Sequence, residues 1–108
     1  MAKVKNILSK KQLETIANGL QGISHPIRIG IVYLLLQEEL SVNELSQSLE
    51  ISQSVTSQHL SKLKESDILD FRKESNRVYY YIKNPNYKNL LKLIFKFYDE
   101  LKKPAQKS

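Results

Sequence analysis

The chain has 108 residues, a formal net charge of +6, no cysteine and only three glycines. That length suits one modest core and not two, so a single domain is expected, completed by a partner wherever its surface stays apolar. The absence of cysteine excludes disulfides, thiolate metal ligands and thiol switches, which fits a reducing cytoplasm, and the positive excess suits a polyanion such as nucleic acid.

Residues 1–8 form a basic lead-in without the apolar core of a signal peptide, and Lys3, Lys5, Lys10 and Lys11 precede any acid. The domain is expected over 9–103, with a polar tail at 104–108. Ser9 and Gln12 have capping-box spacing and open a helix whose apolar positions are Leu13, Ile16, Ala17 and Leu20, a docking stripe. After His25, Pro26 sits where a helix's first turn accepts it, and 27–36 is apolar nearly all round, as a buried central helix would be. Its run from Ile31 to Leu36 is the longest apolar stretch in the chain and is far too short to span a bilayer. Gly30 within it is either an imperfection or a point of close approach by another backbone.

Ser41 and Glu44 repeat the capping-box spacing, and Val42, Leu45 and Leu49 line one face of a short helix. Glu50-Ile51-Ser52 breaks it and offers Ser52 as the next N-cap. On the helix from about 53 to 66, Thr56, Leu60 and Leu63 form the inward stripe with Val55 beside them, leaving Gln53, Ser54, Ser57, Gln58, Ser61 and Lys62 outward. Serine and threonine cost several tenths of a kcal/mol each, roughly, in helix propensity, so a face chosen only for solubility would hold Glu, Lys and Ala instead. Short hydrogen-bonding side chains on a helix suit base edges and phosphates in a major groove; the plainer alternative is a solvated polar face.

Two β-forming runs follow, 68–73 and 77–82, separated by Glu74-Ser75-Asn76, with Asn76 the residue expected to take positive φ. Arg72, Lys73 and Arg77 gather at this hairpin's tip, placed to grip phosphate or enter a minor groove, unless they merely solubilise it. Asn84-Pro85-Asn86 ends the hairpin. The last helix, about 87–103, carries Tyr87, Leu90, Leu91, Ile94, Phe95, Phe97, Tyr98 and Leu101, more than the roughly 100° stripe needed to dock on its own domain. The surplus predicts a homodimer in which Leu91, Ile94, Phe95 and Tyr98 meet Leu13, Ile16 and Leu20 of a twin's first helix, presenting two reading helices about 34 Å apart on double-stranded DNA. Phe95 and Phe97 completing the monomer's own core is the alternative. Lys88, Lys92 and Lys96 form a solvated basic edge.

In order, helix, helix, helix-turn-helix, hairpin and helix make a mainly α fold with a small β-hairpin, and the local wording closely resembles the ArsR/SmtB family of winged helix-turn-helix repressors. Over residues 12–101, GISHPIRIGIVYLLL is similar to the family's LSHPTRLRILRLL, SQSVTSQHLSKLKESDIL to SQSTVSRHLKLLREAGLV, and NRVYYYI to the end of its wing. The resemblance implies a homodimeric, operator-binding repressor released by an effector. It also gives base-facing roles to Gln53, Ser54, Ser57 and Gln58, with Thr56 nearer the core but still counted among the DNA-binding residues. Departures bear on the effector. Asp67 stands where the family has glycine, and Val55-Thr56 replaces threonine-valine. Where soft-metal sensors carry a pattern like ELCVCDL this chain has residues 39–45 without either thiolate, and where zinc sensors place ligands on the last helix it has Asn84, Asn86, Phe97 and Glu100, of which only Glu100 could ligate. Four-coordinate zinc needs several converging donors, so no metal and no cofactor is expected; an effector would be a non-metal small molecule. His25 reads as a capping or packing residue and His59 as a DNA-side residue. No phosphate loop or nucleophile constellation suggests an enzyme. A winged-helix module that binds protein instead of DNA is the second reading, motivated by the six tyrosines and the aromatic last helix.

Overall fold

The structure, a computed structural model, describes residues 8–102. Most of the basic lead-in and the whole of the 104–108 tail lie outside the described residues. Among the described residues, five helices and three strands run in the order α1 (Lys10–Ile23), α2 (Pro26–Leu35), β1 (Leu40–Ser41), α3 (Val42–Leu49), α4 (Gln53–Glu65), β2 (Leu69–Glu74), β3 (Arg77–Ile82) and α5 (Pro85–Lys102).

Local chemistry sets the helix starts. Ser9 and Gln12 form a reciprocal capping box, Gln12 N–H donating to Ser9 Oγ at 3.1 Å and Ser9 N–H to Gln12 Oε1 at 2.7 Å. Ser41 and Glu44 do the same for α3, at 3.2 and 2.9 Å. Pro26 occupies the first turn of α2, where His25 Nδ1 accepts from Ile27 N–H at 3.1 Å. Two helix ends use the left-handed conformation without glycine: Glu50 (φ 56°) closes α3 as Ile51 N–H reaches Ser46 O, and Asp67 (φ 63°) closes α4 as Ile68 N–H reaches Leu63 O. Asp67 therefore does the job for which the family resemblance expects glycine, and its carboxylate is held by Lys83 Nζ at 2.7 Å.

The sheet is antiparallel with order β1-β3-β2. The hairpin is the expected one, with Glu74 opposite Arg77, but positive φ falls on Ser75 (57°) instead of Asn76, the pattern of a type II′ turn. β1 is an addition: Leu40 and Ser41 pair with Tyr80 and Tyr79, tying the start of α3 to the wing.

One core joins these elements. Ile31, Val32 and Leu35 of α2 are fully or almost fully buried against Leu45 of α3, Leu60 and Leu63 of α4, and Ile68, Leu69 and Ile82 of the sheet. Leu91 completes it at 2% exposure, which corrects its assignment to a subunit interface: it lies on the side of α5 that faces the domain's own core, out of a second chain's reach. Phe95 also leans inward, half-buried and edge-on to Tyr33 with ring centroids 4.9 Å apart. Ile94 and Tyr98 on α5, and Leu13, Ile16 and Leu20 on α1, are exposed in the protomer. Gly30 is a point of close approach, to a side chain instead of a backbone, since a Cβ there would stand 3.0 Å from Leu49 Cδ2.

Candidate nucleic-acid interface

Ser52 caps α4 by accepting from Val55 N–H at 3.0 Å, and the two-residue step from Glu50 sets this helix across α3. Its outward face is the expected one: Gln53, Ser54, Ser57, Gln58, Ser61 and Lys62 are all exposed. Thr56 is not part of that face. It is fully buried and its hydroxyl donates to Ser52 O at 2.8 Å, so the DNA-binding assignment of Thr56 is corrected: the 100° step per residue turns it into the core beside Leu60 and Leu63.

Gln53 is held from the side. Its Nε2 donates to Asn43 Oδ1 of α3 at 3.0 Å, leaving the amide oxygen and one amide hydrogen free to read a base edge. Asn43 carried no signal in the sequence, because a contact between helices ten residues apart depends on the angle of the turn. Asn43 also lines a notch of about 260 Å³ between the start of α3 and the hairpin tip, with Ser41, Glu44, Asn76 and Arg77. Glu44 there is held below the ordinary carboxylate range by the hydrogen bonds from Ser41, backbone first and hydroxyl second, with a smaller contribution from Arg77.

The hairpin tip is less uniformly basic than its residue types imply. Along β2 successive side chains alternate, so Arg72 and Glu74 share one face and Lys73 takes the other. Arg72 spans Glu39 Oε1, 2.6 Å from its Nε, and the Glu74 carboxylate, and lies over the Tyr79 ring at 4.9 Å. Those bonds, Glu74's first, raise its pKa above the usual arginine value. Its charge is thus faced in the protomer by two exposed carboxylates. Lys73 and Arg77 form no ion pair among the described residues.

The two histidines, 34 residues apart in sequence, meet. Their ring centroids are 4.4 Å apart, and Arg28 Nε donates to His59 Nδ1 at 3.1 Å. His59 is half-buried against α2, which corrects its reading as a DNA-side residue: the inner edge of α4 passes over the start of α2. As for metals, among the described residues no three His, Asp or Glu side chains converge, and the positions where the family resemblance would put thiolates and imidazoles hold serine, asparagine and phenylalanine. This donor set does not fit the family's metal sites. No described helix is long and apolar enough to cross a membrane.

Residues 25–70 match the family model described as bacterial regulatory protein, arsR family. The chain is 38% identical over 79 residues to the transcriptional activator HlyU of Vibrio cholerae, covering 73% of each, and 31% identical over 96 residues to the biofilm growth-associated repressor of Xylella fastidiosa, covering 89% of this chain and 84% of that one. The solved HlyU structure superposes with a TM-score of 0.79 at 34% identity, over 84% of this chain and 99% of HlyU. A homodimeric winged helix-turn-helix DNA-binding domain from Mycobacterium bovis superposes with a TM-score of 0.83 over 97% of this chain and 100% of that one, at 23% identity, a likeness of fold alone. The capped helix-turn-helix lies within the matched residues 25–70, the hairpin wing follows it, and relatives above 30% identity span most of the chain; the chain belongs to the arsR family of bacterial regulatory proteins and is a DNA-binding transcriptional regulator.

Proposed function

We propose that the protein acts in the cytoplasm, without catalysis, as a homodimeric repressor that binds a two-fold symmetric operator. Gln53, Ser54, Ser57 and Gln58 read base edges, Ser61 and Lys62 meet the phosphate backbone, and Lys73 and Arg77 grip phosphates beside the reading helix. The observation that carries this reading is the outward face of α4: a row of short polar side chains, exposed and costly in helix propensity, set beside a basic hairpin tip. Relatives include proteins named as an activator and as a repressor; the repressor reading follows the family resemblance, a dimer bound across an operator occupying DNA that polymerase needs. Any effector is a non-metal small molecule, because the chain lacks cysteine and, among the described residues, no three His, Asp or Glu side chains converge.

Selection of bound fragments from genomic DNA, followed by fluorescence anisotropy at two salt concentrations, tests this. A near-palindrome should emerge, and the double substitution Ser57→Ala, Gln58→Ala should keep the fold while relaxing base preference by about 1–3 kcal/mol per base pair read. Binding that has no sequence preference and vanishes at the higher salt would instead favour the protein-binding module.

A further inference from the structure

Three elements meet at one guanidinium. Arg28, in the first turn of α2, donates from Nη1 to Gly22 O at the end of α1 (3.1 Å) and from Nε to His59 Nδ1 on α4 (3.1 Å). Gly22 is itself pressed against the C-terminal cap of α4, where a Cβ would fall 2.4 Å from Ser66 Oγ. The end of α1, the start of α2 and the reading helix are thus locked at two points, one steric and one hydrogen-bonded.

The hydrogen-bonded lock has a protonation requirement. A donor on Nδ1 requires that nitrogen to be unprotonated, so His59 is a neutral imidazole with its proton on Nε2. His25 Nδ1 is likewise engaged as an acceptor, from Ile27 N–H. Protonating His59 at Nδ1 removes the acceptor and puts a cation beside Arg28 and the His25 ring, 4.4 Å away centroid to centroid. The surroundings offer little relief. From α2 the facing groups are His25 and Arg28; from α1 the adjoining cleft is lined by uncharged Asn18, Gln21 and Gly22; on α4 itself Lys62 and Glu65 line the cleft, paired to each other at 3.7 Å. Among the described residues no carboxylate lies within 4.0 Å of His25, Arg28 or His59. Burial, then His25, then Arg28 push His59 below the ordinary histidine range.

We propose that Arg28 and His59 are positioning residues for DNA recognition, a strut that holds α4 at its reading angle only while His59 is neutral, so that operator affinity falls on acidification. This rests on the operator-binding reading above. The strut joins the reading helix to α1, whose exposed stripe is expected to meet the twin, and it therefore governs how the two reading helices are aimed together.

The test uses the full chain and a duplex selected from random sequence at pH 7.5, with anisotropy titrations from pH 7.5 to 5.0 on the wild type and on His59→Gln, which cannot protonate. Acidification adds charge at every other titrating group of both proteins alike, so the ratio of their affinities isolates His59, whose own added charge would by itself favour DNA and so opposes the expected loss. The wild type should lose about tenfold relative to His59→Gln across this range, the effect of one pKa unit of coupling between protonation and helix position. Parallel profiles would overturn the proposal. A measurement independent of any variant is the ring nitrogen spectrum of the wild type at pH 7.5: a proton on His59 Nε2 with Nδ1 accepting is expected, and a proton on Nδ1 would overturn the strut. Failure to select any duplex at pH 7.5 would sink the operator-binding reading, while the nitrogen spectrum would still judge the strut.

Discussion

Ser41 and Glu44 show how one residue's charge state supports a whole segment. The carboxylate of Glu44 receives the Ser41 N–H while the Ser41 hydroxyl oxygen receives the Glu44 N–H, and the hydrogen bonding of Ser41 to the carboxylate, its backbone N–H foremost, depresses the Glu44 pKa. A carboxylate with a depressed folded value binds fewer protons folded than unfolded, so its stabilisation is complete above the ordinary value and is lost as the pH falls through the folded one. Stability measured in urea should therefore drop with acid below about pH 5, and Ser41→Ala should lose about 1 kcal/mol at pH 7 with a shallower acid limb. An unchanged acid limb would mean that Glu44 does not report on the cap. Thr56 gives the complementary case. Being buried and bonded to Ser52 O, it should cost about 1 kcal/mol when changed to valine while leaving the ranking of operator variants unmoved. A changed ranking would return Thr56 to the reading face.

At the scale of elements, the wing's two arginines should behave differently. Arg77 is unpaired among the described residues and Arg72 is neutralised by Glu39 and Glu74, so counterion release on DNA binding should involve the first and not the second. Arg77→Ala should make the slope of log affinity against log salt shallower by about 0.9 for each protomer bound, and Arg72→Ala should leave it unchanged. Equal changes would show that Arg72 leaves its carboxylates when DNA arrives. This contrast was not legible in the sequence, because Glu39 reaches Arg72 only through the fold. Short-range chemistry was legible: the caps at Ser9, Ser41 and Ser52, the proline start of α2 and the period-3.6 stripes place the helices, since each depends on neighbours within four residues. β1 was not, because a two-residue strand has no period of its own and exists only by pairing with Tyr79 and Tyr80. The His25–His59 contact and the Asn43–Gln53 bond were hidden for the same reason. In the wing turn Ser75 takes the positive φ that asparagine is better suited to, because the Glu74–Arg77 register puts it first in the two-residue loop.

For the whole molecule, the unresolved demand is apolar surface. Leu93, Phe97 and Leu101 on α5 are each more than 60% exposed, and Leu13, Ile16 and Leu20 on α1 about half exposed, whereas Leu91 on the opposite side of α5 is buried. A helix docked on one face and apolar on the other calls for a second surface, and a two-fold pairing through α1 and α5 would supply it. Two substitutions separate the roles of the two faces. Phe97→Glu should leave the protomer folded but shift it to monomer in sedimentation, whereas Leu91→Ala should lower stability by about 2–5 kcal/mol without changing the association of the folded fraction. DNA gives the sharper readout. When two reading helices are joined, the second half-site is filled at a high effective concentration, a gain of about 10²–10⁴ in affinity that needs no new contact. The Phe97→Glu monomer should bind an isolated half-site as well as the wild type does and lose most of that gain on the full palindrome. If it binds both sites like the wild type, the α1 and α5 faces do not join the protomers, and the apolar surface must be covered by something other than a second copy of this chain.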